Sequence, residues 1–313
     1  MLDTFRLINA DLNPDADVST DILLDYFQPS ELQQQYCELS QIYVFGDSLS
    51  DIGNTFDLMQ QALGEGLPPA PPYFARRFSN GPVWVEYLAR FLKLPSSRHT
   101  NFAAGGATTG SLNTFIPNNP HNLPGLQQQI EKFTASLQGA PADSNALYIV
   151  WVGANDYFGG GSTDPTVPIA NLSNAIQSLV NAGAKQLMVV NLPDLGDLPS
   201  SQGNPEVSNG LNALTHAHNT ALATSIQALQ HTAGSDVQIM LFDVNGMMNQ
   251  LFLDPAKSGF TNIADTELEK LSQFQGYADT FFFWDRIHPT TTAHLTLAKT
   301  AVALLTPVAT AVS

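Results

Sequence analysis

The sequence predicts an α/β fold with a mainly parallel sheet and helices on both faces, and three observations lead there. Apolar runs of strand length alternate with helix-length stretches whose apolar residues share one face. No repeat, charge block or low-complexity linker interrupts that alternation. The polar residues with chemical potential follow strand ends, the edge where open α/β sheets place their sites.

Taken in order, Ile42 to Phe45 is an apolar run that reads as the first strand. Gly46 and Asp47 form the turn after it, and Ser48 opens the next helix. The proline-rich stretch Leu67 to Tyr73 cannot sustain a helix and predicts an extended or turning loop. Val83 to Leu92 carries its apolar residues on one helical face. The segment reaching Asn101 and Phe102 is a weak second strand. Leu147 to Val152 is a strong third, Leu187 to Val190 the fourth and Val237 to Phe242 the fifth. Before that last strand, Leu211, Leu214, Ala217, Ala221, Leu222, Ile226 and Leu229 form a helical stripe suited to core contact. A further helix is expected after Pro289, turning His294 away from Ser48. The simplest division is one domain over 41–313. It follows an extension, 1–40, punctuated by Asp3, Asp11, Asp15, Asp17, Asp21 and Asp25, to which no role is assigned.

Chemistry concentrates at the two ends of that domain. Ser48 follows a strand, and a helix N-terminus there supplies free N–H groups and a positive dipole end, both of which favour negative charge beside an attacked carbonyl. A serine so placed is a credible nucleophile. Asp285 and His288 lie three residues apart, close enough for a carboxylate to orient an imidazole as the base. Singly, each has an ordinary reading: Ser48 as an N-cap, Asp285 as a turn former, His288 as a surface histidine.

Four separated blocks resemble those of the GDSL, or SGNH, hydrolase family, and in the family's order. They are Phe45 to Asn54 (nucleophile), Asn101 to Thr108 (oxyanion glycine), Val152 to Asp156 (asparagine) and Asp285 to Thr290 (acid and base). Arg77 to Trp84 is similar to a segment of the larger, lipase-type branch. The resemblance implies a three-layer α/β/α sandwich with a flavodoxin-like central sheet. It also implies that Ser48 is the nucleophile, His288 the base and Asp285 its partner. The oxyanion donors would be the N–H groups of Ser48 and Gly106 and the side-chain amide of Asn155. Gly106 is preferred to Gly105 because it stands two residues before the threonine. Asp47, Asp51 and Asn54 read as turn and support residues. The Gly-x-Ser-x-Gly elbow of ordinary α/β-hydrolases is absent, since Ser50 occupies its final position.

The expected reaction is hydrolysis of carboxylic esters through an acyl-enzyme, with no cofactor and no metal. The substrate is a small acyl ester or a lipid: short ester, lipid and acetylated carbohydrate all stay open, and the prolines before Tyr73 either wall an acyl pocket or merely connect. The alternatives are an acyltransferase that admits an alcohol in place of water, or a catalytically silent binding module on the same fold.

Composition narrows the rest. At 313 residues and 43% hydrophobic content the chain is able to bury a sizeable core. Twelve Lys plus Arg against 28 Asp plus Glu give a formal charge of −16, which repels phosphate backbones and disfavours nucleic acid. No apolar stretch is long enough to span a bilayer. Met1 to Arg6 shows no secretory pattern and points to the cytoplasm, whereas the resemblance to frequently secreted lipases points outward. The lone Cys37 reads as a packing residue. His216 and His218 face different sides of a helix, which disfavours metal binding there. His99, His121, His231 and His294 read as structural or exposed. No residue pattern specifies an oligomeric state.

Overall fold

The computed structural model of the protein describes residues 39–97, 99–271 and 280–305. The predicted extension, except Leu39 and Ser40, lies outside them, as does Cys37. Four strands form one parallel sheet in the order β1 (Ile42–Gly46), β2 (Leu147–Trp151), β3 (Gln186–Val190), β4 (Gln238–Phe242). Ile42 pairs with Leu147, Leu147 with Gln186, and Gln186 with Gln238. The helices are α1 (Asn54–Leu63), α2 (Trp84–Phe91), α3 (Leu126–Ser136), α4 (Ala154–Phe158), α5 (Thr166–Ala182), α6 (Pro205–Thr232), α7 (Val244–Leu253), α8 (Glu267–Lys270) and α9 (Thr291–Leu305). A separate parallel pair joins β5 (Asn262–Thr266) to β6 (Phe281–Phe283).

The alternation of side chains along each strand sorts the core into two layers. Val44, Ile149, Trp151, Met188 and Phe242 pack with α2, α7 and α9. Phe45, Tyr148, Val150, Leu187 and Val189 pack with α3, α5 and α6. Strand β2 is buried at all five positions, which is why its sequence is apolar without alternation. The sandwich is therefore the expected α/β/α architecture. Among the described residues no helix is long and apolar enough to cross a membrane.

Three readings need correction, and one element was not anticipated. The weak second strand is only a bridge beside β1: Val44 N–H donates to Thr100 O and Phe102 N–H to Val44 O. Ala104 N–H adds one more bond, to Gly46 O, and pairing ends at Gly105, whose N–H turns to Asp51 and Thr55. Ser48 does not open a helix. Residues 47–50 form a turn, and α1 begins only at Asn54. In the α6 stripe Ala217 is exposed, while Thr215 and His218 are buried among Leu222 and Ile226. The β5–β6 pair was not anticipated, since β6 is just three residues long.

The bridge matters for position. Residues 100–104 lie on one side of β1 and strands β2 to β4 on the other, so the chain reverses direction across the sheet between β1 and β2. That is the switch point at which open α/β sheets form a crevice beyond their strand ends.

Candidate active site

Ser48 stands just past β1 at that crevice. The strand end is fixed by Gln129, whose side chain accepts from Gly46 N–H and donates to Gly46 O, each at 2.8 Å. Ser50 N–H closes the turn on Asp47 O, and Trp84 Nε1 holds the Ser50 hydroxyl at 3.0 Å. Beyond the turn, buried Asp51 accepts from the N–H groups of Gly53, Asn54, Thr55 and Gly105. It caps α1 and ties the glycine block to the nucleophile turn. The helix dipole thus meets Asp51 and not Ser48.

Ser48, His288 and Asp285 form one hydrogen-bonded chain. Ser48 Oγ lies 2.8 Å from His288 Nε2, and His288 Nδ1 lies 2.7 Å from Asp285 Oδ2. Asp285 Oδ1 accepts from the N–H groups of Ile287 and His288 at 2.8 and 2.7 Å. Burial alone would raise this carboxyl, but the neighbouring His288 and these donors outweigh it and hold Asp285 at about 2. An ionised Asp285 only accepts, so Nδ1 carries the proton and Nε2 is free to take one from Ser48 Oγ.

The segment Arg77 to Trp84 grips the histidine loop from both sides. Ser79 Oγ donates to Pro289 O, Asn80 Oδ1 accepts from Thr291 N–H, and Thr291 Oγ1 donates to Pro82 O. Phe78 lies 5.2 Å from the His288 ring. Trp284 N–H closes the loop on His288 O.

In the glycine block, Gly105 N–H is engaged by Asp51 and by Thr55 Oγ1 at 2.7 Å. Gly106 takes a φ of 78°, and a Cβ there would run into the Phe115 backbone, so only glycine fits. Among the described residues no acceptor pairs with the N–H of Gly106 or of Ser48. Asn155, at the start of α4, donates through Nδ2 to Ala107 O at 3.0 Å. Its neighbour Asp156 accepts from Thr109 N–H and Oγ1, binding the asparagine and glycine blocks together. On the far side of α4, Tyr157 bonds buried His218 at 2.9 Å, and burial lowers that histidine to about 4.

Asp47 is buried beside Ser48, with Oδ1 accepting from Leu49 N–H. Burial pushes it up to about 7, against the Leu49 N–H and His288, which lower it. Between the ordinary value of 3.8 and 7 the unfolded chain is ionised there while the folded protein keeps its proton. Rising pH therefore costs stability across this window. Asp47→Asn is expected to gain stability over wild type progressively from pH 4, levelling above pH 7 at up to about 4 kcal/mol. Urea titrations of both proteins at pH 4, 6 and 8 check this, and a pH-independent difference would sink it.

Residues 42–301 match the GDSL-like Lipase/Acylhydrolase family. The chain belongs to that family. It is 28% identical to a phosphatidylcholine-sterol acyltransferase of Aeromonas hydrophila, over 85% of this chain and 90% of the relative. It is 30% identical to a thermolabile hemolysin of Vibrio parahaemolyticus, over 84% of this chain and 63% of that one. A GDSL esterase/lipase of Arabidopsis thaliana is 27% identical over 84% and 81%.

Within this GDSL-family site the structure brings Ser48, His288 and Asp285, the three residues singled out in the sequence, into direct contact, and Asp47, Asp51 and Asn54 make backbone-supporting hydrogen bonds. Asn54 Nδ2 bonds Asn101 O and Ala103 O. His216 is exposed and His218 buried, on different faces of α6 as expected. His99 and His231 are exposed, and His294 is buried. One partner was missed altogether: Tyr73 Oη donates to Asp285 Oδ2 at 2.8 Å across 212 residues of chain. No local pattern announces such a contact. A narrow apolar cavity also adjoins the site, lined by Leu49, Trp151, Phe158, Leu192, Met248 and Ile287.

Proposed function

We propose that this protein is a serine acylhydrolase that cleaves carboxylic esters through an acyl-enzyme on Ser48. The observation that carries the reading is the unbroken Ser48–His288–Asp285 chain, at 2.8 and 2.7 Å. Ser48 Oγ attacks the ester carbonyl while His288 Nε2 takes its proton, and Asp285 stabilises the resulting imidazolium. The proton then passes to the departing alkoxide, and water repeats the cycle on the acyl-enzyme. The oxyanion is assigned to the N–H groups of Ser48 and Gly106 and to Asn155 Nδ2. Gly106 is favoured over Gly105 because the Gly105 N–H already has its acceptors. The apolar cavity between Leu49 and Ile287, the chain neighbours of nucleophile and base, favours an aliphatic acyl group over acetate.

A second reading, transfer of the acyl group to an alcohol, is favoured by the likeness to an acyltransferase over 90% of that relative's length. A panel of p-nitrophenyl esters of increasing acyl length, with and without added alcohol, separates the two by products. Labelling by an organophosphorus reagent, mapped to the peptide holding Ser48, tests the nucleophile. Absence of both turnover and labelling would reject the reading.

Asn155→Ala is expected to lower kcat by about 10²- to 10³-fold with KM changed far less, because its amide is assigned to the charge that develops only in the transition state. Labelling of Ser48 persists, more slowly. Steady-state kinetics decide: a normal kcat with lost affinity would make Asn155 a ground-state binding residue.

A further inference from the structure

Asp285 has two partners on the same oxygen. Oδ2 is 2.7 Å from His288 Nδ1 and accepts from Tyr73 Oη at 2.8 Å. Tyr73 ends the proline-rich strap 67–73, whose backbone closes on itself through Tyr73 N–H to Pro69 O. The next residue, Phe74, donates to Ser79 O, joining the strap to the segment that grips the histidine loop. The Tyr73 ring stands edge-on to Trp284 at 6.0 Å, so ring and hydroxyl are independently seated.

We propose that Tyr73 is a positioning residue for Asp285, through which the proline-rich strap fixes the carboxylate and sets the basicity of His288. The inference rests on the proposed esterase reading and adds to it a fourth member of the chain. A hydroxyl bonded to Oδ2 draws negative charge off the carboxylate that faces the imidazole. Removing that donor strengthens the pull of Asp285 on a protonated His288, so the base holds its proton to higher pH. Burial and the Asp285 charge both push the Tyr73 phenol far above its ordinary value, so it stays a donor throughout the working range.

Other titratable groups face this cluster. Asp47 acts on His288 from the nucleophile turn. His294 on α9 is held neutral by burial, at about 3. Arg286 and Glu269 pair with each other at 3.8 Å in solvent. All are common to wild type and to a variant that loses only the Tyr73 hydroxyl, so a difference between the two profiles isolates that bond.

Tyr73→Phe keeps the ring against Trp284 and deletes the donor. The acid limb of its kcat/KM profile on a p-nitrophenyl ester is expected to move up by about 0.3–1 pH unit. The plateau falls about 3- to 10-fold with KM nearly unchanged, as a less firmly held carboxylate implies. In an Asp285→Asn background the same substitution shifts the limb no further, since the hydroxyl acts through the carboxylate. A limb that stays put or moves down in folded Tyr73→Phe overturns the proposal, whatever the plateau does, and leaves Tyr73 a packing residue. That result differs from failure of the esterase reading, in which Ser48→Ala retains turnover or no serine is labelled.

Discussion

Ser48→Ala and His288→Ala each lower kcat/KM on a soluble ester by roughly 10⁴-fold or more, and the double variant loses no more than either alone. The expectation follows from the 2.8 Å contact between Ser48 Oγ and His288 Nε2. An alkoxide-like nucleophile requires a place for its proton, and a base without a nucleophile has nothing to activate. Either deletion therefore abolishes the same step. What survives is the catalysis available from the assigned oxyanion donors and binding. Ser48 sits in a turn closed by Ser50 N–H on Asp47 O, and His288 in a loop held by backbone and by the 77–84 segment, so neither truncation removes a bond that closes the fold. Circular dichroism and urea midpoints establish folding, and turnover within tenfold of wild type by either folded variant rejects the assignment.

The site was legible where its chemistry sits in short contiguous blocks at strand ends. Ser48 after β1, the glycine block beside β1 and Asn155 after β2 meet because the sheet reverses between those strands, an arrangement that follows from the order of the strands. The start of α1 was misread for a physical reason. Asp51, three residues beyond Ser48, is the residue that gathers the first N–H groups of the helix, and a serine's high N-cap preference pointed to the wrong oxygen. Strand β6 was missed because three phenylalanines are too few for a period to show, although they place Asp285 two residues beyond their end. Tyr73 was hidden by distance: a contact across 212 residues depends on tertiary structure alone. Asp47 is intermediate. Its place in the turn was readable, but its displaced ionisation comes from burial that only the folded core creates.

Asp285→Asn is expected to lower the kcat/KM plateau by roughly 10³- to 10⁴-fold and to move the acid limb to lower pH. The two effects have separate origins. Asn Oδ1 is able to keep the N–H groups of Ile287 and His288, which now bond Asp285 Oδ1 at 2.8 and 2.7 Å, so the loop retains its shape. At the other position an NH₂ group replaces the oxygen that faces His288 Nδ1. Two donors cannot share a hydrogen bond, and the imidazole answers by carrying its proton on Nε2 instead. That places a proton where the Ser48 proton must go, and the plateau falls. The limb moves for a different reason. Asp285, held ionised down to about pH 2, stabilises an imidazolium across the working range, and a neutral amide does not. Protonation of the base then requires more acid. Profiles of both proteins on one soluble ester, with folding verified at each pH, test the pair of effects. A variant whose plateau and limb both match wild type would remove Asp285 from the chain, and a plateau loss without movement of the limb would leave it a purely orienting partner.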